Sequence, residues 1–140
     1  MLDQTQIQYT TNSPSTVGTS PDETRPLALT IAQAAEDRKG DNIVLLRVSE
    51  VCYLADYFVI VTGFSNVQVR AISAEIADQV EEQWQRLPLR VEGQSDASWV
   101  VMDYGDVIVH ILKPQEREFY NLEAFWGHAE RINFSTAPRG

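Results

Sequence analysis

The stretch Trp99–Leu112 leaves this chain little choice of local structure. It reads Trp-Val-Val-Met-Asp-Tyr-Gly-Asp-Val-Ile-Val-His-Ile-Leu. Two β-branched and aromatic runs, the composition that strands prefer, flank a short polar break at Asp103–Asp106. Gly105 takes positive φ without steric cost, and Asp106 tolerates it better than most residues. The pattern predicts a tight hairpin. In its second strand Val107, Val109 and Ile111 point one way, and Ile108, His110 and Leu112 the other. Both sets are mostly apolar, so this strand is expected at the centre of a sheet and covered on both sides. The polar turn is then the part of the hairpin expected to meet a partner.

The rest of the chain reads as elements around that hairpin. At 140 residues it should hold one domain. Met1–Pro26 is rich in Thr, Ser, Gln and Pro and is expected to be a disordered polar tail. Leu27–Lys39 reads as a helix with Leu27, Ile31 and Ala34 or Ala35 as its apolar stripe, stopped at Gly40. Ile43–Val48 and Tyr57–Thr62 read as strands joined too closely for a helical crossover, so they can pair directly. Ser65 can cap a long helix, Asn66–Arg86, whose face is Val69, Ile72, Ile76, Val80 and Trp84. Pro88 prevents its continuation. Leu89–Glu92 is a brief edge strand. Pro114 opens a last helix reaching Phe125 or Trp126, with Phe119, Leu122 and Trp126 on one face. Residues 128–140 form a short tail. The whole is an α/β fold: one domain over residues 27–127, a mixed five-stranded sheet with helices packed on its faces.

Charge narrows the function classes. The formal net charge is −9, which argues against general or sequence-specific nucleic-acid binding, because phosphates need a basic face. An acidic chain suits a basic protein partner, although acidity also serves solubility alone. The single cysteine, Cys52, excludes an intrachain disulfide and reads as a small buried apolar residue. No apolar run approaches the ~20 residues that span a bilayer, and the N-terminus lacks a signal-peptide pattern; cytoplasm is the expected location.

Three constellations carry chemical possibilities. Gly63 and Ser65 sit between a strand and a helix N-terminus, which can hold an anion, and Asp103 with Asp106 is the available carboxylate pair. Together, with Arg70 approaching, they would suit metal-dependent nucleotidyl or phosphoryl transfer. The two aspartates straddle a turn instead of alternating on one strand, so a capped helix and two turn residues are the favoured reading. His110 suits acid–base work, but a structural imidazole bonded to a backbone or Asp acceptor is favoured. With His110, His128 and Cys52 alone, a closed zinc site is not expected, and neither a metal nor another cofactor is assigned. Trp99, Met102, Tyr104 and Tyr120 are of the types enriched at protein interfaces, with Glu92, Asp103 and Asp106 adding negative charge. Each aromatic also suits a core.

Three segments in series resemble one family: Asp56-Tyr57-Phe58-Val59-Ile60-Val61-Thr62-Gly63-Phe64-Ser65, then Val91-Glu92-Gly93, then Trp99 through His110. Arg117-Glu118-Phe119-Tyr120-Asn121-Leu122-Glu123-Ala124-Phe125-Trp126 continues the match. From about Leu27 to Trp126 the chain resembles the Iojap, or ribosomal silencing factor (RsfS), family. The resemblance implies a nucleotidyltransferase-like fold without a catalytic site, hence no enzyme. It implies binding to the large ribosomal subunit through its fourteenth ribosomal protein. Small-subunit joining would be blocked and translation damped under nutrient limitation. A link to large-subunit assembly is also implied, and an exposed aromatic surface permits a homodimer. By resemblance the partner-facing surface maps to Trp99, Met102, Asp103, Tyr104 and Asp106. Trp99, Met102 and Tyr104 are expected to act as apolar anchors, and the two aspartates to meet Lys or Arg. Replacing both aspartates by Lys is expected to abolish binding and spare the fold. Asp56 and Glu92 are further candidates, Gly63 and Gly105 are backbone requirements, and Tyr120 and Trp126 are packing residues.

Overall fold

The expected hairpin forms, and the remaining elements assemble on it. The computed structural model describes residues 21–50, 54–132 and 134. In chain order these hold α1 (Pro21–Asp37), β1 (Asp41–Arg47), β2 (Tyr57–Thr62) and α2 (Asn66–Trp84). Then come β3 (Arg90–Glu92), β4 (Trp99–Asp103), β5 (Val107–Leu112), α3 (Pro114–Tyr120), α4 (Leu122–Phe125) and β6 (Glu130–Ile132). The sheet runs β3-β4-β5-β2-β1-β6. Hairpin strands β4 and β5 pair antiparallel from Trp99↔Leu112 to Asp103↔Ile108. β5 is central, and its other neighbour is β2, in the parallel pair Tyr57↔Val107 through Thr62↔Leu112. β1 and β2 pair directly and antiparallel, as their short connection requires.

Side-chain alternation sorts the sheet into two unequal faces. One carries Leu45, Tyr57, Val59, Val61, Val100, Met102, Val107, Val109 and Ile111, buried beneath Leu27, Ile31, Ala34 and Ala35 of α1 and Val69, Ile72, Ile76 and Val80 of α2. Ser65 caps α2 as expected, its Oγ accepting from the Gln68 amide at 3.0 Å. Trp84 is half-buried against this cluster, and its indole donates to Thr30 Oγ1 at 3.2 Å. The other face carries a smaller cluster of Val44, Leu46, Phe58, Ile60 and Leu112, covered by Leu122, Trp126 and Ala129. That cover does not extend over β3 and β4, so Ile108 and His110 are half-buried and β5 is sealed on one side only.

Three boundaries differ from the sequence expectation. The first helix begins at Pro21, so residues 21–26 of the expected tail are helical. Tertiary contacts hold that extra turn: Thr24 Oγ1 donates to Asp56 at 3.1 Å and Arg25 Nε to the Tyr57 hydroxyl at 3.2 Å. The sheet has six strands because β6, within the expected C-terminal tail, adds antiparallel to β1. The last helix breaks at Asn121, which takes φ 46° and closes α3 by donating its amide to the Arg117 carbonyl. The break rotates α4 relative to α3, so Leu122 and Trp126 pack on the sheet while Phe119 is 78% exposed. The β3–β4 connection is tied together by the Ala97 amide, which donates to the Gly93 carbonyl at 2.8 Å. The tail expected over residues 1–20 and the Cys52 position lie outside the described residues.

Tyr104 leads to a stability prediction. It is 2% exposed, and its hydroxyl is buried without a hydrogen-bond partner. Burial pushes its phenol up to about 12. An unpaired buried hydroxyl costs about 1–3 kcal/mol. Tyr104→Phe keeps the ring beneath Arg86 and is expected to stabilise the chain by about 1 kcal/mol. A lowered urea midpoint would contradict this.

Candidate functional site

On the uncovered half of the second sheet face several of the residues singled out by sequence meet solvent. Strand parity decides which of them do. Trp99, Val101 and Asp103 of β4 project onto that face, beside Ile108 and His110 of β5 and Arg90 and Glu92 of β3. Each of Trp99, Val101 and Asp103 is half-buried.

Met102 and Tyr104 do not reach it. Met102 is 1% exposed and points the other way, into the core beneath α2, with Ser73 Oγ 3.6 Å from its sulfur. Tyr104 turns into the same core from the hairpin turn. Neither can anchor a partner in the folded chain. Asp106 is occupied: Arg86 forks across it with bonds of 2.8 and 3.1 Å and also donates to the Tyr104 carbonyl at 2.6 Å. This ties the end of α2 to the hairpin turn, so Asp106→Lys would break a fold contact and the double lysine substitution would also cost stability. Asp103 Oδ1 accepts from the Gly105 amide at 2.8 Å, and Arg90 lies 3.5 Å from Oδ2. The polar turn is therefore a packed corner of the molecule, and the half-buried residues of this set lie on the strands behind it.

What the sequence reading missed is a continuous row of rings across this face. Phe125 meets Trp126 at 5.1 Å between centroids, Trp126 meets Phe58 at 5.2 Å, and Phe58 meets His110 at 5.2 Å. His110 meets Trp99 at 6.0 Å, Trp99 meets Tyr120 at 4.7 Å, and Tyr120 meets Phe119 at 4.9 Å. These spacings and tilts are those of favourable edge and offset ring pairs. The row is sunk in the middle and rises at its ends, where Phe119 and Phe125 are exposed. Period-two alternation placed His110 on this face, but rings from α3 and α4 joined it only through the break at Asn121.

His110 holds the centre. Its Nδ1 accepts from Trp99 Nε1 at 3.2 Å, so its partner is an indole, where a backbone or Asp acceptor was expected. Burial pushes its imidazole down to about 4, which keeps it neutral at neutral pH. His128 is exposed beside β6.

The parts of a nucleotidyl-transfer site do not come together. Ser65 follows the end of β2 that pairs with Leu112, whereas Asp103 and Asp106 flank the opposite end, where Val107 pairs with Tyr57. A six-residue strand separates them by roughly 20 Å. Arg70 instead donates to the carbonyls of Gln94 and Ser95 at 3.1 and 2.8 Å. Among the described residues no group of three or more His, Cys, Asp or Glu is placed to hold a metal ion. No described helix is long and apolar enough to cross a membrane.

Fold and surface together define a class: a mixed α/β sheet with two helices on one face and a part-open row of aromatic rings on the other. Comparison with known proteins supplies the family. The model for "Ribosomal silencing factor during starvation" matches residues 21–139. The ribosomal silencing factor RsfS of Bacillus subtilis is 42% identical over 98 residues, covering 70% of this chain and 82% of that protein. The chloroplastic protein Iojap of Zea mays is 42% identical over 106 residues, covering 75% of this chain and 45% of that protein. A crystal structure from Chromobacterium violaceum superposes with a TM-score of 0.73 at 31% identity, covering 84% of this chain and 96% of that one. The chain belongs to the RsfS/Iojap family of ribosomal silencing factors.

Proposed function

We propose that this chain is a ribosomal silencing factor that docks its open sheet face on the large ribosomal subunit, at the fourteenth ribosomal protein. Bound there it blocks joining of the small subunit and represses translation when nutrients are short. The observation that carries the reading is the aromatic row flanked by Asp103 and Glu92 on an otherwise uncovered half-sheet. Aromatic side chains supply the apolar centre of protein interfaces. The net charge of −9 favours a basic partner and disfavours rRNA phosphates as the docking target. No catalytic role is assigned, because the anion-holding helix end and the carboxylates lie at opposite ends of β2 and β5. The place of action is the cytoplasm.

Co-sedimentation with isolated large subunits, small subunits and joined ribosomes tests this. The chain should pellet with large subunits alone, survive moderate salt and prevent joining. Val101→Lys puts a positive charge on the solvent side of β4 and is expected to weaken binding at least tenfold, with the melting temperature little changed. Wild-type protein that stays in the supernatant, or a Val101→Lys variant that binds normally, would sink the reading.

A further inference from the structure

We propose that Trp99 fixes His110 in its Nε2–H tautomer, making it a hydrogen-bond donor at the centre of the open sheet face for a carbonyl oxygen of a basic protein segment. This inference rests on the docking role proposed above and specifies its chemistry.

The argument starts from the inventory of donors. An indole Nε1–H donates and never accepts. It lies 3.2 Å from His110 Nδ1, so Nδ1 must offer its lone pair. A neutral imidazole carries one ring proton, which leaves it on Nε2. Rings pack around the imidazole, Phe58 at 67° to its plane and Trp99 at 49°. Among the described residues Nε2 has no hydrogen-bond partner, and it is not one of the buried polar atoms sealed from solvent. The folded chain thus holds an oriented donor in an apolar floor and supplies no acceptor for it.

The surroundings select the acceptor. Val101 pairs directly with His110, and Asp103 pairs with Ile108 one position along the same face. Glu92 stands opposite Val101 on β3. Arg90 lies 3.5 Å from Asp103 and 3.8 Å from Glu92 and offsets part of their charge, leaving two carboxylates against one guanidinium; a carboxylate arriving at His110 would meet that net negative charge, whereas a neutral carbonyl would not. A Lys or Arg side chain flanking that carbonyl would share Asp103 and Glu92 with the exposed Arg90 or displace it within the same footprint. A backbone carbonyl of a basic segment meets both requirements.

The test uses the full chain in two measurements. In the free protein, 15N NMR of the imidazole should show the proton on Nε2 and an unprotonated Nδ1. In large-subunit binding, His110→Phe keeps a ring against Phe58 but has no donor, and should lose about tenfold in affinity. His110→Gln restores an N–H near the Nε2 position and should stay within about threefold of wild type. A proton found on Nδ1, or a His110→Phe variant that binds like wild type, overturns the proposal. Equal loss in both variants also overturns it, since packing and not donation would then explain the effect. Wild-type protein that fails to bind large subunits would instead remove the docking role, and the NMR measurement on the free chain would still decide the tautomer.

Discussion

Gly93→Ala should destabilise the chain by about 3–5 kcal/mol, the sum of a left-handed backbone cost and a steric overlap. Gly93 follows β3 with φ +89°, and a Cβ built there overlaps the Trp99 carbonyl oxygen. That oxygen belongs to the start of β4, whose backbone cannot recede without disturbing the Val100↔Ile111 and Trp99↔Leu112 pairs. Gly105 provides the internal control. Its φ is +92°, but its added Cβ meets only the flexible Leu89 side chain, at 3.3 Å. Gly105→Ala should therefore cost about 1–2 kcal/mol, the backbone term alone. Urea unfolding of the two variants separates the terms, because the midpoint reports stability while an unchanged slope shows that the unfolded state is comparable. Equal losses at both positions would mean that the Trp99 carbonyl is not a hard wall. Since Trp99 moves with that carbonyl, Gly93→Ala should also weaken partner binding under conditions where it is still folded.

The second large effect lies in the short α3–α4 segment. Arg117 is 8% exposed, donates to both Glu123 oxygens at 2.8 and 3.2 Å, and reaches Thr62 Oγ1 at 3.0 Å. The guanidinium beside Glu123 holds its carboxyl below the usual range. Arg117→Ala leaves the half-buried Glu123 carboxylate without its ion-pair partner and should cost about 3 kcal/mol. Replacing both partners with apolar residues, Arg117→Met with Glu123→Leu, should recover most of that loss, since the desolvation of both charges disappears along with their attraction. Thermal melts of the single and double variants check this, and a double variant no more stable than Arg117→Ala would refute it. The pH dependence has a definite sign. Glu123 is depressed in the folded state, so its contribution is present above its ordinary value of 4.5 and is lost as pH falls through the lower folded value. The Arg117→Ala variant should lack that part of the acid sensitivity.

Much of the fold was legible because its signals are local and strongly periodic. The stripe Val69, Ile72, Ile76 and Val80 announced α2, and alternation along Val107–Leu112 announced a central β5. The candidate surface was less legible, for reasons that particular residues make plain. Trp99, Met102 and Tyr104 share an interface-like composition, yet strand parity puts Met102 opposite Trp99, and the turn carries Tyr104 inward. Asp106 looked free because its partner Arg86 is twenty residues away. The early start of α1 depends on contacts from Thr24 to Asp56 and Arg25 to Tyr57, which no local propensity encodes. Asn121, a residue that tolerates the left-handed region, was the available signal for the α3–α4 break. Glu130–Ile132 is too short to show any period, and it becomes a strand because the edge of β1 is there to receive it.

The parallel seam between β2 and β5 has a consequence for how the chain is born. Tyr57 and Val107, which lie side by side in the sheet, are fifty positions apart in the chain. β2 is wholly buried in the finished molecule. During synthesis it emerges long before β5, and until Leu112 has left the exit tunnel it lacks a neighbour along that edge. Non-local pairing of this kind slows folding, and an unpaired apolar edge invites association with other chains. Nascent chains held with Thr62 outside the tunnel and Leu112 still inside it should therefore be the ones that need a chaperone.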